Sequence, residues 1–179
     1  MDKYKLIWTQ LQFRIFKLLC LKAGEKLSQR EIAKYLEVSP TAVGNSLELL
    51  EKENLIKIEK NRSMNLISLN RDEKKAINLK RVENLRLMYE SELINHLENQ
   101  LPGGTILLFG SYSRGEDTNT SDIDIAVIGR KDKLLNLENF ETILNRKINI
   151  NFYDSWKKIH NNLKNNILNG IVFIGGVEL

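Results

Sequence analysis

A single cysteine, Cys20, excludes an internal disulfide and a cysteine-built zinc site. Histidine is almost as scarce. His96 and His160 both fall on predicted helices away from any signature, which makes them surface or packing residues. No apolar run approaches the length needed to cross a bilayer. The charged N-terminus does not lead into an apolar stretch followed by small residues, so no signal peptide is read and the cytoplasm is the expected location. The only two prolines, Pro40 and Pro102, stand at predicted element boundaries. Excess charge is small too, with 27 Lys and Arg against 23 Asp and Glu.

That excess is unevenly placed. Residues 1–72 hold 13 Lys and Arg against 9 Asp and Glu, whereas 73–100 hold 5 against 5 and 101–179 hold 9 against 9. The chain length suits two small domains, and the breaks suggest 1–72, a linking helix over 73–100, and 101–179. The expected class is α+β.

In the first segment, residues 11–22 read as an apolar helix. Ser28 and Glu31 have capping-box spacing for a second helix through Leu36. Ser39 caps a third, with Pro40 at its first position, where the missing amide hydrogen costs nothing. Val43, Leu47, Leu50 and Leu55 form its inner stripe. Ile56–Glu59 and Leu66–Leu69, around Lys60, Asn61, Arg62 and Ser63, read as a hairpin. Residues 28–70 resemble a winged helix-turn-helix of transcription regulators. The resemblance implies duplex DNA as partner, with Thr41, Ala42, Asn45 and Ser46 toward a major groove and Lys57, Lys60 and Arg62 toward phosphate. Glu48, Glu51 and Glu53 crowd the end of that helix, so base reading by arginine is not evident. A winged helix used only for protein contacts remains the alternative.

Residues 73–100 carry Val82, Leu85, Tyr89, Leu93 and Leu97 at spacings of three and four, a stripe suited to core packing or to a homodimer seam. Pro102, Gly103 and Gly104 end it. Thr105–Phe109 then reads as a buried strand. In the next strand Ile123, Ile125 and Val127 alternate with Asp122, Asp124 and Ala126. Period-two alternation puts both aspartates on one face, roughly 7 Å apart along the strand. Gly110 lets backbone approach a phosphate, and Ser111 adds a hydroxyl donor. Ser113, Arg114 and Gly115 continue into a short helical turn. Phe140–Leu144 and Trp156–Leu168 read as helices around a strand at Lys147–Tyr153, with Ile171–Ile174 the last strand.

Gly110, Ser111, Arg114, Gly115, Ser121, Asp122 and Asp124 together resemble the signature of the DNA polymerase beta-like nucleotidyltransferases in their minimal form. The resemblance implies transfer of a nucleoside monophosphate from a nucleoside triphosphate to a hydroxyl. Asp122 and Asp124 would be the catalytic carboxylates holding Mg²⁺ or Mn²⁺, and Gly110, Ser111, Arg114 and Ser121 would face the nucleotide. It also implies a partner seen with small members of the family, a separately encoded helical toxin-like protein. Active relatives bring a third carboxylate from a later strand, and here Asn149 stands at that place. An asparagine oxygen can ligate a cation but carries no charge and accepts no proton at neutral pH. Asp154, at the same strand's end, fits a helix cap better than a ligand. Two functions stay open: a metal-dependent nucleotidyltransferase coupled to DNA binding, and a DNA-binding regulator whose nucleotidyltransferase-like domain binds nucleotide or a partner without turnover.

Overall fold

Thr9 and Ser28 each open a helix with a reciprocal cap. Thr9 Oγ1 accepts from Gln12 N at 3.2 Å while Gln12 Oε1 accepts from Thr9 N at 2.9 Å, starting α1 (Gln10–Leu21). Ser28 Oγ accepts from Glu31 N at 3.2 Å and Glu31 Oε2 from Ser28 N at 2.7 Å, starting α2 (Gln29–Leu36). A left-handed Glu37 ends α2, and Ser39 caps α3 (Pro40–Lys52) with Pro40 in its first turn. The computed structural model describes residues 8–60 and 64–177.

Strand β1 (Leu27–Ser28) pairs with β3 (Asn65–Leu69), which also pairs with β2 (Ile56–Lys60), giving the antiparallel order β1-β3-β2. The hairpin was legible, but β1 was not, since two residues carry no period. Phe16, Ile32, Val43, Leu50, Leu55 and Ile67 are almost wholly excluded from water and form one core.

The chain divides into two compact units, Met1–Lys80 and Arg81–Leu179, with the division inside helix α4 (Lys74–Glu90). The single helix expected over 73–100 is two: Glu92, at φ 62°, breaks it, and α5 (Leu93–Gln100) follows. The expected stripe shifts as well. Leu93 and Leu97 are buried, but Val82 and Tyr89 are 58% and 57% exposed, while Met88 is fully buried. Glu83 and Asn84 take inner positions of α4 instead.

The second unit is built on a four-stranded sheet in the order β6-β5-β4-β7. Strands β4 (Thr105–Phe109) and β5 (Ile123–Ile128) are antiparallel, β7 (Ile171–Ile174) is antiparallel to β4, and β6 (Ile148–Tyr153) is parallel to β5. Between them lie α6 (Gly110–Arg114), α7 (Glu138–Leu144) and α8 (Asn161–Leu168). Alternation sends Ile106, Leu108, Ile123, Ile125 and Val127 into one core with Met88, α5 and Leu144. Leu107, Phe109, Ala126 and Ile128 meet Trp156, Ile159 and Ile167 on the opposite face. The helix expected over Trp156–Leu168 is interrupted: a 3₁₀ turn at Trp156–Lys158 is separated from α8 by an extended Ile159. Asp154 makes no cap and instead pairs with Lys158. No described helix is long and apolar enough to cross a membrane.

Candidate active site

One rung of the sheet assembles the site. Phe109 is opposite Asp124, and Asp124 is beside Asn149 on the parallel neighbour, so β4, β5 and β6 each contribute at the same level. Asp122, two residues earlier, shares the Asp124 face by the period of a strand. Asn149 Nδ2 donates to Asp122 Oδ2 at 3.1 Å and lies 3.5 Å from Asp124 Oδ1. The residue standing where a third acid was expected therefore touches both acids.

Gly110 follows directly from the Phe109 end of the rung. Its φ is +74°, and a Cβ there would stand 2.6 Å from Asp124 Oδ2. Both the backbone conformation and the carboxylate exclude a side chain. Gly110→Ala is expected to cost about 1–2 kcal/mol of stability for the left-handed conformation. It should also weaken any Mn²⁺ binding at Asp124 by roughly tenfold or more through displacement of that carboxylate. Denaturant melts and Mn²⁺ titration by electron paramagnetic resonance check both effects.

Burial pushes the Asp124 carboxyl above its ordinary range; the Asn149 donor offsets part of this, and the Asp122 charge adds to it. A cation here would reverse that cost.

Ser111 is half-buried in the first turn of α6, next to Gly110. Ser113 Oγ donates to the Gly110 carbonyl at 2.8 Å and holds that turn closed. Arg114 is turned elsewhere: its guanidinium bonds Glu116 at 2.7 Å and Asn166 at 3.3 Å. Ser121 Oγ accepts from Thr118 N at 2.9 Å, closing the loop that delivers Asp122. Asp122 borders an open, polar cleft of about 650 Å³ between residues 119–122 and α7, lined also by Glu138, Glu141, Arg146 and Lys147.

Behind the loop lies a buried polar cluster that the sequence did not reveal. Asn84 Nδ2 donates to Asp117 Oδ1 at 2.7 Å and to the Tyr112 carbonyl at 2.9 Å. Arg146 stands 3.8 Å from Asp117 Oδ2, with both side chains 2% exposed or less. Burial, with Asp117 adding to it, raises the Tyr112 hydroxyl well above its usual range. Asp117 lies five residues before Asp122 and Arg146 three before Asn149, so this pair ties together the two segments that carry the site. Among the described residues no three His, Cys, Asp or Glu side chains converge as a metal cluster.

In the first unit, Thr41 and Asn45 are exposed on α3, whereas Ser46 Oγ donates back to the Ala42 carbonyl at 2.9 Å. Lys57 pairs with Asp72, and Lys60 is exposed at the end of β2. Arg62 lies outside the described residues.

Residues 91–175 match the family model for polymerase beta nucleotidyltransferases, and residues 12–64 match that for a helix-turn-helix domain. The chain thus joins a helix-turn-helix domain to a domain of the polymerase beta nucleotidyltransferase family. No curated protein matches it. Among solved structures, wild-type Lactococcus lactis ZitR in complex with DNA aligns with a TM-score of 0.41 and 23% identity over 56% of this chain and 66% of that one. A ZitR double variant in apo form aligns with a TM-score of 0.40 and 24% identity over 53% and 70%. The chain spans just under two thirds of the DNA-bound ZitR chain.

Proposed function

We propose that the second unit binds a nucleoside triphosphate with a divalent cation and transfers the nucleoside monophosphate to a hydroxyl, while the first unit binds duplex DNA. The observation that carries this reading is the contact of one atom, Asn149 Nδ2, with both Asp122 and Asp124 beside the bare backbone of Gly110. A point reached by both carboxylates suits a hard cation such as Mg²⁺ or Mn²⁺. Asp122 and Asp124 would hold it, and Asn149 would turn its amide oxygen inward as a neutral ligand. When bound, the ion supplies charge neutralisation to the phosphates and polarises the attacking hydroxyl. Ser111 and the Gly110–Ser111 backbone would receive phosphate oxygens.

Asn149 also favours a second reading. It removes a proton acceptor from the central rung, so nucleotide binding without turnover is chemically coherent. Labelled triphosphates, Mn²⁺ and cell lysate distinguish the two: incorporation with pyrophosphate release marks an enzyme, and nucleotide retention without product marks a binding domain. Asp122→Asn with Asp124→Asn is expected to abolish both transfer and Mn²⁺-dependent retention. Undiminished labelling in that double variant would place the chemistry elsewhere.

DNA binding rests on the helix-turn-helix domain and on the positive excess of residues 1–72. Lys60→Ala with Arg62→Ala should weaken duplex binding alike across sequences. It should also reduce the slope of log affinity against log salt by about 0.9 for each phosphate no longer neutralised. Anisotropy titrations at several salt concentrations check this.

A further inference from the structure

Among the described residues, the two ends of the second unit's sheet carry opposite formal charge. At the end bearing Asp122 and Asp124 also stand Glu116, Asp117, Glu138 and Glu141, against Arg114, Arg146 and Lys147. At the other end, the segments after β5 and β6 bring Arg130, Lys131, Lys133, Lys157 and Lys158, against Asp132 and Asp154. Residues 101–179 are neutral as a set, so the cations are concentrated rather than abundant.

This end of the sheet holds a cleft of about 810 Å³ at the start of β4 and the ends of β5 and β7, with Lys157 and Asp154 in its lining. Bare backbone enters its lining at Gly103, Gly104, Gly129, Gly175 and Gly176. A Cβ at Gly103, Gly129 or Gly176 would meet nothing within 4 Å, whereas one at Gly104 would stand 2.9 Å from Arg130 Cγ. The Arg130 stem therefore passes beside Gly104. Two of the five cations have internal work: Lys158 pairs with Asp154, and Lys133 Nζ donates to the Gln100 carbonyl at 2.8 Å, where α5 ends. Lys131 reaches the same Asp154 electrostatically, which shows that the two cationic segments converge. Arg130, Lys131 and Lys157 are exposed and make no ion pair among the described residues.

We propose that this glycine-lined cleft and the exposed cations beside it bind the phosphodiester backbone of a nucleic acid strand. Charge complementarity identifies the occupant, since three exposed cations from two segments, Arg130, Lys131 and Lys157, stand at the end of the sheet where glycine backbone lines the cleft. Trp156, the sole aromatic lining the cleft among the described residues, is 7% exposed and offers no face on which a base could stack. Contact is therefore with the backbone and is indifferent to sequence. The cleft lies at the end of the sheet opposite the aspartates and does not depend on the catalytic reading.

The test uses the full chain and the triple variant Arg130→Gln, Lys131→Gln, Lys157→Gln, whose side chains are all at the surface. Labelled single-stranded RNA, single-stranded DNA and duplex DNA of mixed sequence are titrated across salt concentrations. The wing variant Lys60→Ala with Arg62→Ala serves as the background in which front-unit binding is reduced. In that background the triple substitution is expected to lower single-strand affinity by roughly tenfold at low salt and flatten the log–log salt slope by about 0.7 for each phosphate no longer neutralised. A larger loss for RNA or for DNA identifies which strand is held, and a loss confined to duplex assigns the same cleft to a duplex backbone. Equal affinity and slope with and without the three cations overturns the proposal. So does wild-type binding of polyglutamate as tight as that of RNA with matched charge, which would make the occupant an acidic polypeptide.

Discussion

Asn149→Asp is expected to tighten Mn²⁺ binding by roughly tenfold or more, because a third charged ligand joins two carboxylates that already meet at one point. The same change should destabilise the metal-free protein. At present the Asn149 amide donates to Asp122 and lies beside Asp124, whereas a carboxylate there would repel both. Added Mn²⁺ should then raise the melting temperature of Asn149→Asp more than that of the unsubstituted chain. Cation binding requires Asp124 ionised, and burial has raised its pKa. Affinity should therefore fall as pH drops through a range above that of an ordinary aspartate, and that range should move higher still in Asn149→Asp. Unchanged Mn²⁺ affinity and an unchanged pH profile would remove residue 149 from the site.

Asp117→Ala is expected to be the most damaging single substitution in the second unit. It removes the carboxylate 3.8 Å from the buried Arg146 guanidinium and takes an acceptor from Asn84. Removing one partner of a buried ion pair costs about 3–5 kcal/mol. In a unit of this size that lowers the melting temperature by roughly 10 °C or more. Differential scanning calorimetry measures the loss. The double variant Asp117→Ala with Arg146→Met separates the pair from its parts: recovery of much of the loss would show that the stranded charge caused it, since an apolar replacement of both partners is often nearly neutral. A shift of a degree or two for Asp117→Ala would mean that the cluster contributes little.

The parts of the site that were legible are those written in local periodicity. Alternation over Ile123–Ile128 and Ile148–Tyr153 predicted strands, and the register places Asp124 and Asn149 side by side. Caps at Ser28 and Ser39 were equally plain, because each needs only a hydroxyl at the right offset. The break between α4 and α5 was not legible: it falls at Ser91 and Glu92, with neither glycine nor proline to announce it. The inner face of α4 was misread because Lys80, Glu83 and Asn84 are buried on it, so apolar spacing pointed to Val82 and Tyr89 instead. Asp117 and Arg146 were missed for a related reason. Each has a charged and exposed neighbour, Glu116 and Lys147, so only tertiary packing shows that one of each two is enclosed.

The rung joining Phe109, Asp124 and Asn149 has a further consequence. Neighbouring strands stand roughly 4.8 Å apart, and that separation is set by main-chain pairing rather than by loop conformation. Ligands for the proposed cation would thus be preorganised, with most of their ordering entropy already lost when the chain folds. Arrival of a ligand should leave the amide-exchange protection of β5 and β6 nearly as it was, with any change concentrated in residues 115–122.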